Sequence, residues 1–188
     1  MGHPFYTIGH GTRPLDEFVG LLQSVEVTLL VDVRTVPRSR TNPQYNQDLL
    51  PNSLRPHGIG YEHMAALGGL RGRVREVAPS VNAFWTNKSF HNYADYAMSE
   101  RFRGGLAHLR QIGETQRCAI MCAETVWWRC HRRIISDYLL AAGEQVFHIF
   151  SMGKVEQAVI NEAARPQRTD VLAYPAEPSA QSDLFDRA

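Results

Sequence analysis

The sequence predicts an α/β fold of three layers, α/β/α, built on a mainly parallel sheet: a single compact domain with a flexible C-terminal tail. Apolar, β-rich runs alternate with stretches of helical apolar spacing, the signature of βαβ units. Two of the runs, Val27–Val33 and Cys118–Cys122, are continuous rather than alternating, as strands covered on both faces are. A chain of 188 residues, 44% apolar and 21% charged, suits one core of this kind.

The elements follow in order. Phe5–Ile8 reads as a strand that stops at Gly9-His10-Gly11. Pro14, Leu15, Phe18, Val19, Leu21 and Leu22 then recur at helical spacing before the Val27–Val33 strand closes on Arg34. Residues 35–60 hold Pro37, Pro43, Pro51, Pro56, Gly58 and Gly60, which predicts a long functional loop with a short helix within Gln44–Leu54. Ile59–Met64 is a short strand, and Leu67-Gly68-Gly69-Leu70-Arg71-Gly72-Arg73 a glycine-rich loop. Tyr93–Ile112 predicts helix, broken near Ser99 or at Gly104-Gly105. After the Cys118–Cys122 strand, Cys130–Ala142 is helical with Gly143 as its stop. Val146–Phe150 is a last strand and Val155–Ala164 a last helix. The boundary falls after Ala164, where Pro166, Pro175 and Pro178 enter and apolar periodicity ends: residues 1–164 are the α/β domain and 165–188 the tail.

Composition narrows the function. No run approaches the eighteen or so apolar residues of a membrane span, and Met1–Pro4 leads into the first strand without a basic n-region, so a cytoplasmic location is expected. Three crowded cysteines, Cys118, Cys122 and Cys130, argue for reduced thiols rather than a disulfide framework. The net charge of +1 conceals a strong choice of base, because all but Lys88 and Lys154 of the twenty basic residues are arginine. Residues 34–75 carry seven arginines (34, 38, 40, 55, 71, 73, 75) against Asp48 and Glu62, with Tyr45, Tyr61, His57 and His63 between them. That interleaving resembles a nucleic-acid-facing surface, although a solvated loop has the same composition.

In a parallel sheet the chemistry lies beyond the carboxyl ends of the strands. Those ends carry His10, Asp32 with Arg34, Cys122 with Glu124, and His148. The densest cluster, Cys122 to Arg133, runs from a strand end into a helix start, where free N–H groups and arginines attract anions and lower a thiol pKa. Three chemistries compete there. Cys122 or Cys130 is a nucleophile, although Arg129 lies one residue farther from Cys122 than in the phosphatase loop. Alternatively Cys122, Cys130 and His131 bind zinc, without any C-x-x-C pair to support it. The favoured arrangement makes Glu124 and Asp32 the acid/base pair, with arginines holding the substrate's charge. Cys118 is expected to be a core residue. Trp127 and Trp128 suit packing or stacking on a base.

The tail carries a separate signal. Gln181-Ser182-Asp183-Leu184-Phe185 resembles the peptide by which bacterial proteins bind the replication sliding clamp, with Leu184 and Phe185 filling an apolar pocket and Gln181 held by hydrogen bonds.

Four separated motifs in order also resemble the DUF488 family of bacterial and archaeal proteins. They are Thr7-Ile8-Gly9-His10-Gly11, Asp32-Val33-Arg34 with Pro37 and Ser39, Leu67-Gly68-Gly69 with Arg71, and Met121-Cys122-Ala123-Glu124 followed by Cys130-His131-Arg132. The resemblance spans roughly residues 5–162 and implies a compact α/β fold with the motifs around one pocket; it brings no established reaction. Two departures stand out: Gly11 replaces the usual serine, and Val126-Trp127-Trp128 replaces an expected proline. The combined expectation is a DNA-associated repair enzyme or accessory, base-removing or hydrolytic, working without a cofactor. Asp32, Glu124, Cys122, Cys130 and His131 are its catalytic candidates. His10, Arg34, Gly68, Gly69, Arg71, Trp128, Arg129 and Arg132 are candidates for binding substrate. A non-catalytic DNA and clamp-binding module, and a thiol or metal enzyme unrelated to DNA, are the alternatives.

Overall fold

The computed structural model describes residues 2–177, so the Gln181–Phe185 peptide lies outside the described residues. A six-stranded sheet organises the chain. Its strands are β1 (Phe5–Gly9), β2 (Leu29–Asp32), β3 (Gly60–His63), β4 (Cys118–Cys122), β5 (Val146–Ser151) and β6 (Lys154–Gln157), in the order β3-β2-β4-β1-β5-β6. All neighbours pair in parallel except β6, which runs antiparallel to β5 along one edge. The predicted α/β class is therefore the observed one.

Side-chain alternation along β4 separates two cores. Cys118, Ile120 and Cys122 point, with Val31 and Val146, to the face covered by α3 (Lys88–Ala97), α4 (Glu100–Gly113) and α5 (Arg132–Ala141). Ala119 and Met121 point, with Ile8, Leu30 and Ile149, to the face covered by α1 (Leu15–Ser24) and the short α2 (Leu50–Leu54). Both ends of the βα units are legible in local chemistry. Asp16 and Glu17 occupy the first turn of α1, where the helix dipole favours them, and Phe18, Val19, Leu21 and Leu22 form its buried stripe. The predicted break between α3 and α4 falls at Ser99, whose hydroxyl accepts the Phe102 N–H as an N-cap. Gly104 and Gly105 lie inside α4, and Gly105 lets the helix approach Ala66 and Leu67.

Two expectations are corrected. Residues 155–164 are not helical: the chain reverses at Gly153 (φ +72°) into the edge strand β6, and then turns. Val159 and Ile160 are exposed while Ala158 and Ala163 are buried, so the apolar residues that imitated a helical stripe do not share one face. Nor is the stretch that follows Ala164 without structure. Arg165–Arg168 (β7) and Val171–Ala173 (β8) form an antiparallel hairpin, and Leu172 and Tyr174 enter the helix-covered core. The Tyr138 hydroxyl bonds both the N–H and the C=O of Leu172, while the Tyr174 hydroxyl donates to Asp137 at 3.0 Å. Four apolar residues, Val171 to Tyr174, just before Pro175 were too short a run for periodicity to register.

Candidate active site

Strand register brings the sequence motifs to one level. Gly9 pairs with Cys122 and Asp32 with Met121, and the ladder continues past the strand ends as His10 N–H bonds Cys122 O and Val33 N–H bonds Met121 O. Gly9 has to be glycine here, because a Cβ would lie 1.9 Å from the Glu124 carbonyl. Gly11 (φ +51°) is likewise filled in by its neighbour: a Cβ there would meet Thr125 Oγ1 at 2.3 Å. The serine expected from the resemblance cannot be accommodated unless Thr125 moves.

At this level two sulfurs meet. Cys122 Sγ, from the end of β4, lies 2.7 Å from Cys130 Sγ, just before α5, and both thiols are free. Cys130 is the better-served of the two. Its sulfur receives the Arg132 N–H at 3.5 Å and the Arg132 Nε–H at 3.4 Å, and His131 Nδ1 stands 3.4 Å away. His131 is oriented by its other nitrogen, since Nε2–H donates to the Val33 carbonyl at 2.9 Å, and Gly69 makes room for the ring. Arg132, 1% exposed, is in turn fixed by donating to the Glu124 carbonyl. Burial alone would push the Cys130 thiol up; the hydrogen bond from Cys122 and the neighbouring His131 and Arg132 overcome it and hold Cys130 well below the ordinary thiol value. Burial and the Cys130 neighbour push Cys122 well above it. Cys118 stands apart, fully buried in the core, with burial raising it to about 12.

The sulfurs open onto a cavity of about 550 Å³. His10, Arg34, Arg38, Arg129, Glu124 and Phe90 are among the residues that line it. His10 is stacked on Tyr45 and donates Nδ1–H to the Gly11 carbonyl, leaving Nε2 to accept from Arg34 Nη1 at 3.3 Å. Burial lowers its pKa to about 4, so the ring is neutral at physiological pH. Arg34 is held flat by a two-pronged contact to Asp32 and a bond to the Tyr45 carbonyl, which presents its remaining edge to the cavity.

Several candidates from the sequence therefore change role. Asp32 does not line the cavity: it is fully buried, with both oxygens occupied by Arg34 and the Tyr61 hydroxyl, and it serves to hold Arg34. Arg71 is spent on its own loop, donating to the Gly68 and Ala65 carbonyls with its guanidinium 3.8 Å above the Tyr96 ring. Gly68 admits Thr35 rather than a ligand. Arg132 faces the Cys130 sulfur from behind rather than the open cavity. Trp128 is 43% exposed beside Phe150 and outside the lining, and Trp127 stacks on His148. Glu124 is an exposed carboxylate on the cavity wall, the only one there among the described residues, and forms no ion pair with Arg34 or Arg132. The start of α3 was missed. Asn87 caps it by accepting the Ser89 and Phe90 N–H groups, and Asn87, Ser89 and Phe90 form one wall of the cavity. The Asn-Lys-Ser capping pattern was the available signal.

The donor atoms of Cys122, Cys130 and His131 lie within 4.8 Å of one another, so a metal has to be considered. Tetrahedral zinc holds two thiolates roughly 3.8 Å apart, given bonds of about 2.3 Å. The observed pair is closer than that, inside the ordinary contact distance of two sulfur atoms, and the Arg132 guanidinium sits against Cys130 where a cation would be repelled.

The model of the domain of unknown function DUF488 matches residues 14–139, about two-thirds of the chain. No curated protein and no solved structure matches the sequence. The matched span contains the Asp32-Val33-Arg34, Leu67–Arg71 and Met121–Arg132 motifs, three of the four that converge on the cavity. The chain belongs to the DUF488 family.

Proposed function

We propose that this protein is an enzyme that hydrolyses a phosphate ester of a nucleic-acid strand or nucleotide, with the Cys130 sulfur as attacking group. One observation carries the proposal: the Cys130 sulfur, backed by Arg132 and His131, opens onto a cavity to which Arg38 and Arg129 bring positive charge and Arg34 a guanidinium edge. Such a site binds a phosphate and stabilises the charge that develops on it. The thiolate attacks phosphorus as the bond to the leaving oxygen breaks, and Glu124 gives that oxygen a proton. Water then attacks the thiophosphate, Glu124 takes its proton, and phosphate leaves with the thiolate regenerated.

A nucleic-acid substrate is supported by the rim. Val36 and Leu70 line the cavity and are strongly exposed, and Arg40, Arg73 and Arg75 are exposed arginines of the same basic stretch of sequence. Recruitment to the sliding clamp through Gln181, Leu184 and Phe185 belongs to the same proposal and rests on sequence alone. Deleting residues 181–188 should abolish clamp binding; unchanged affinity, or none in the full chain, removes that part.

The deciding experiment assays the full chain, with thiols reduced, on nucleotides and on single- and double-stranded oligonucleotides. Cys130→Ser should lower hydrolysis by about a thousandfold or more, and Glu124→Gln by about a hundredfold. No hydrolysis of any of these substrates by the wild-type chain would refute the proposal. Base removal by water activated at Glu124 is the second outcome that the exposed carboxylate favours, and it would survive Cys130→Ser.

A further inference from the structure

The mechanism above uses one sulfur, yet the fold delivers two. Cys122 is fixed by its strand: its carbonyl accepts the His10 N–H, and its Sγ leans on the Glu124 carbonyl at 3.8 Å. Cys130 is fixed by Arg132 and His131. A disulfide has a bond of about 2.05 Å, so closing the 2.7 Å gap requires sulfur movement of well under an ångström. Side-chain rotation covers that distance without displacing β4 or α5. Both residues also line the cavity, which gives a small oxidant a path to them, whereas Cys118 lies in the core on the other side of Ile120 along the strand.

We infer that Cys122 and Cys130 form a redox site, in which a hydroperoxide oxidises Cys130 and Cys122 resolves the product to an intramolecular disulfide. The Cys130 thiolate attacks one peroxide oxygen; the O–O bond breaks, leaving Cys130 as a sulfenic acid and releasing hydroxide (or alkoxide), which solvent protonates. The Cys122 thiol then attacks the Cys130 sulfur; the S–O bond breaks, the Cys122 proton leaves with the hydroxyl as water, and the disulfide forms. Two electrons pass from the sulfurs to the peroxide. Arg132 aids the first step by holding the sulfur as an anion and is not consumed. In the closed form Cys130 is no longer a thiolate and cannot attack a substrate, so oxidation would switch off the hydrolysis proposed above. The redox chemistry itself does not depend on that hydrolysis.

The test exposes the reduced full chain to hydrogen peroxide and maps its peptides by mass spectrometry. The wild-type chain should lose two hydrogens, show a Cys122–Cys130 cross-link, and recover both thiols with dithiothreitol. Cys118→Ser should behave identically. Cys122→Ser should stop the cross-link and accumulate added oxygen on Cys130. Oxygen addition to the wild-type chain without a cross-link, or a cross-link through Cys118, would overturn the inference; the wild-type mapping decides this even if a variant fails to fold. A chain that forms the disulfide but hydrolyses nothing keeps this site and loses the proposed function; a chain that hydrolyses but never cross-links does the reverse.

Discussion

Asp32 and Arg34 show how a residue two positions away can remove a catalytic candidate. A carboxylate and a guanidinium at a strand end look equally available to a substrate, and sequence reveals their level in the sheet but not their rotamers. Here the Arg34 Nε–H and Nη2–H close on the two oxygens of Asp32, Tyr61 adds a third donor, and a buried pair results. Removing one partner leaves the other charged and desolvated. Asp32→Ala should therefore destabilise the fold by about 3–5 kcal/mol, measured by urea unfolding; a variant of wild-type stability would mean that the pair is not formed. Arg132 makes the complementary case, since its guanidinium serves a sulfur. Arg132→Gln should raise the Cys130 thiol pKa, read from the pH dependence of its alkylation; an unchanged profile would remove Arg132 from the site.

At the scale of elements, the parallel strands and their chain order were readable because continuous apolar runs admit few alternatives. The register that sets Gly9, Asp32 and Cys122 side by side then gathers three motifs, the outer two of them more than a hundred residues apart. What sequence could not supply was the edge of the fold. Val155 to Ala164 has helical spacing by coincidence, and β8 is recognised only through partners far away in sequence, Tyr138 and Asn82. The Cys122–Cys130 contact was hidden for a related reason: the last strand residue and a residue eight positions beyond it meet only because the intervening loop folds back. Tyr174→Ala should cost about 3–5 kcal/mol, as loss of a buried aromatic side chain does. A change within a few tenths would instead place the domain boundary before the hairpin.

The whole molecule carries a pH dependence set by three buried groups. Burial lowers His10 and His148 to about 4, and raises Asp137 to about 6 against the hydrogen bonds it receives from Asn161 and Tyr174. Between pH 6.5 and 4 the unfolded chain takes up protons that the two folded imidazoles refuse, so acid favours unfolding. Asp137 opposes this between about 6 and 3.8, because the folded carboxyl holds the proton that the unfolded one has released. Two imidazoles outweigh one carboxyl, and the melting temperature should fall as pH is lowered from 6.5 toward 4. A flat or rising melting temperature over that range would show that the imidazoles are not excluded from water. The near-neutral total charge is as uninformative at this scale as in the sequence: what matters is that Arg34, Arg38 and Arg129 share one cavity with a sulfur.

That sulfur is the most direct point of attack. Iodoacetamide alkylation of the reduced full chain, followed residue by residue across pH, should show Cys130 reacting with a midpoint well below that of an ordinary thiol, and slowing when an oligonucleotide occupies the cavity; Cys118 should stay unmodified. Alkylation of Cys130 only in the alkaline range, or at a rate indifferent to the oligonucleotide, would contradict the assignment of Cys130 as the reactive group of a site for anionic substrates.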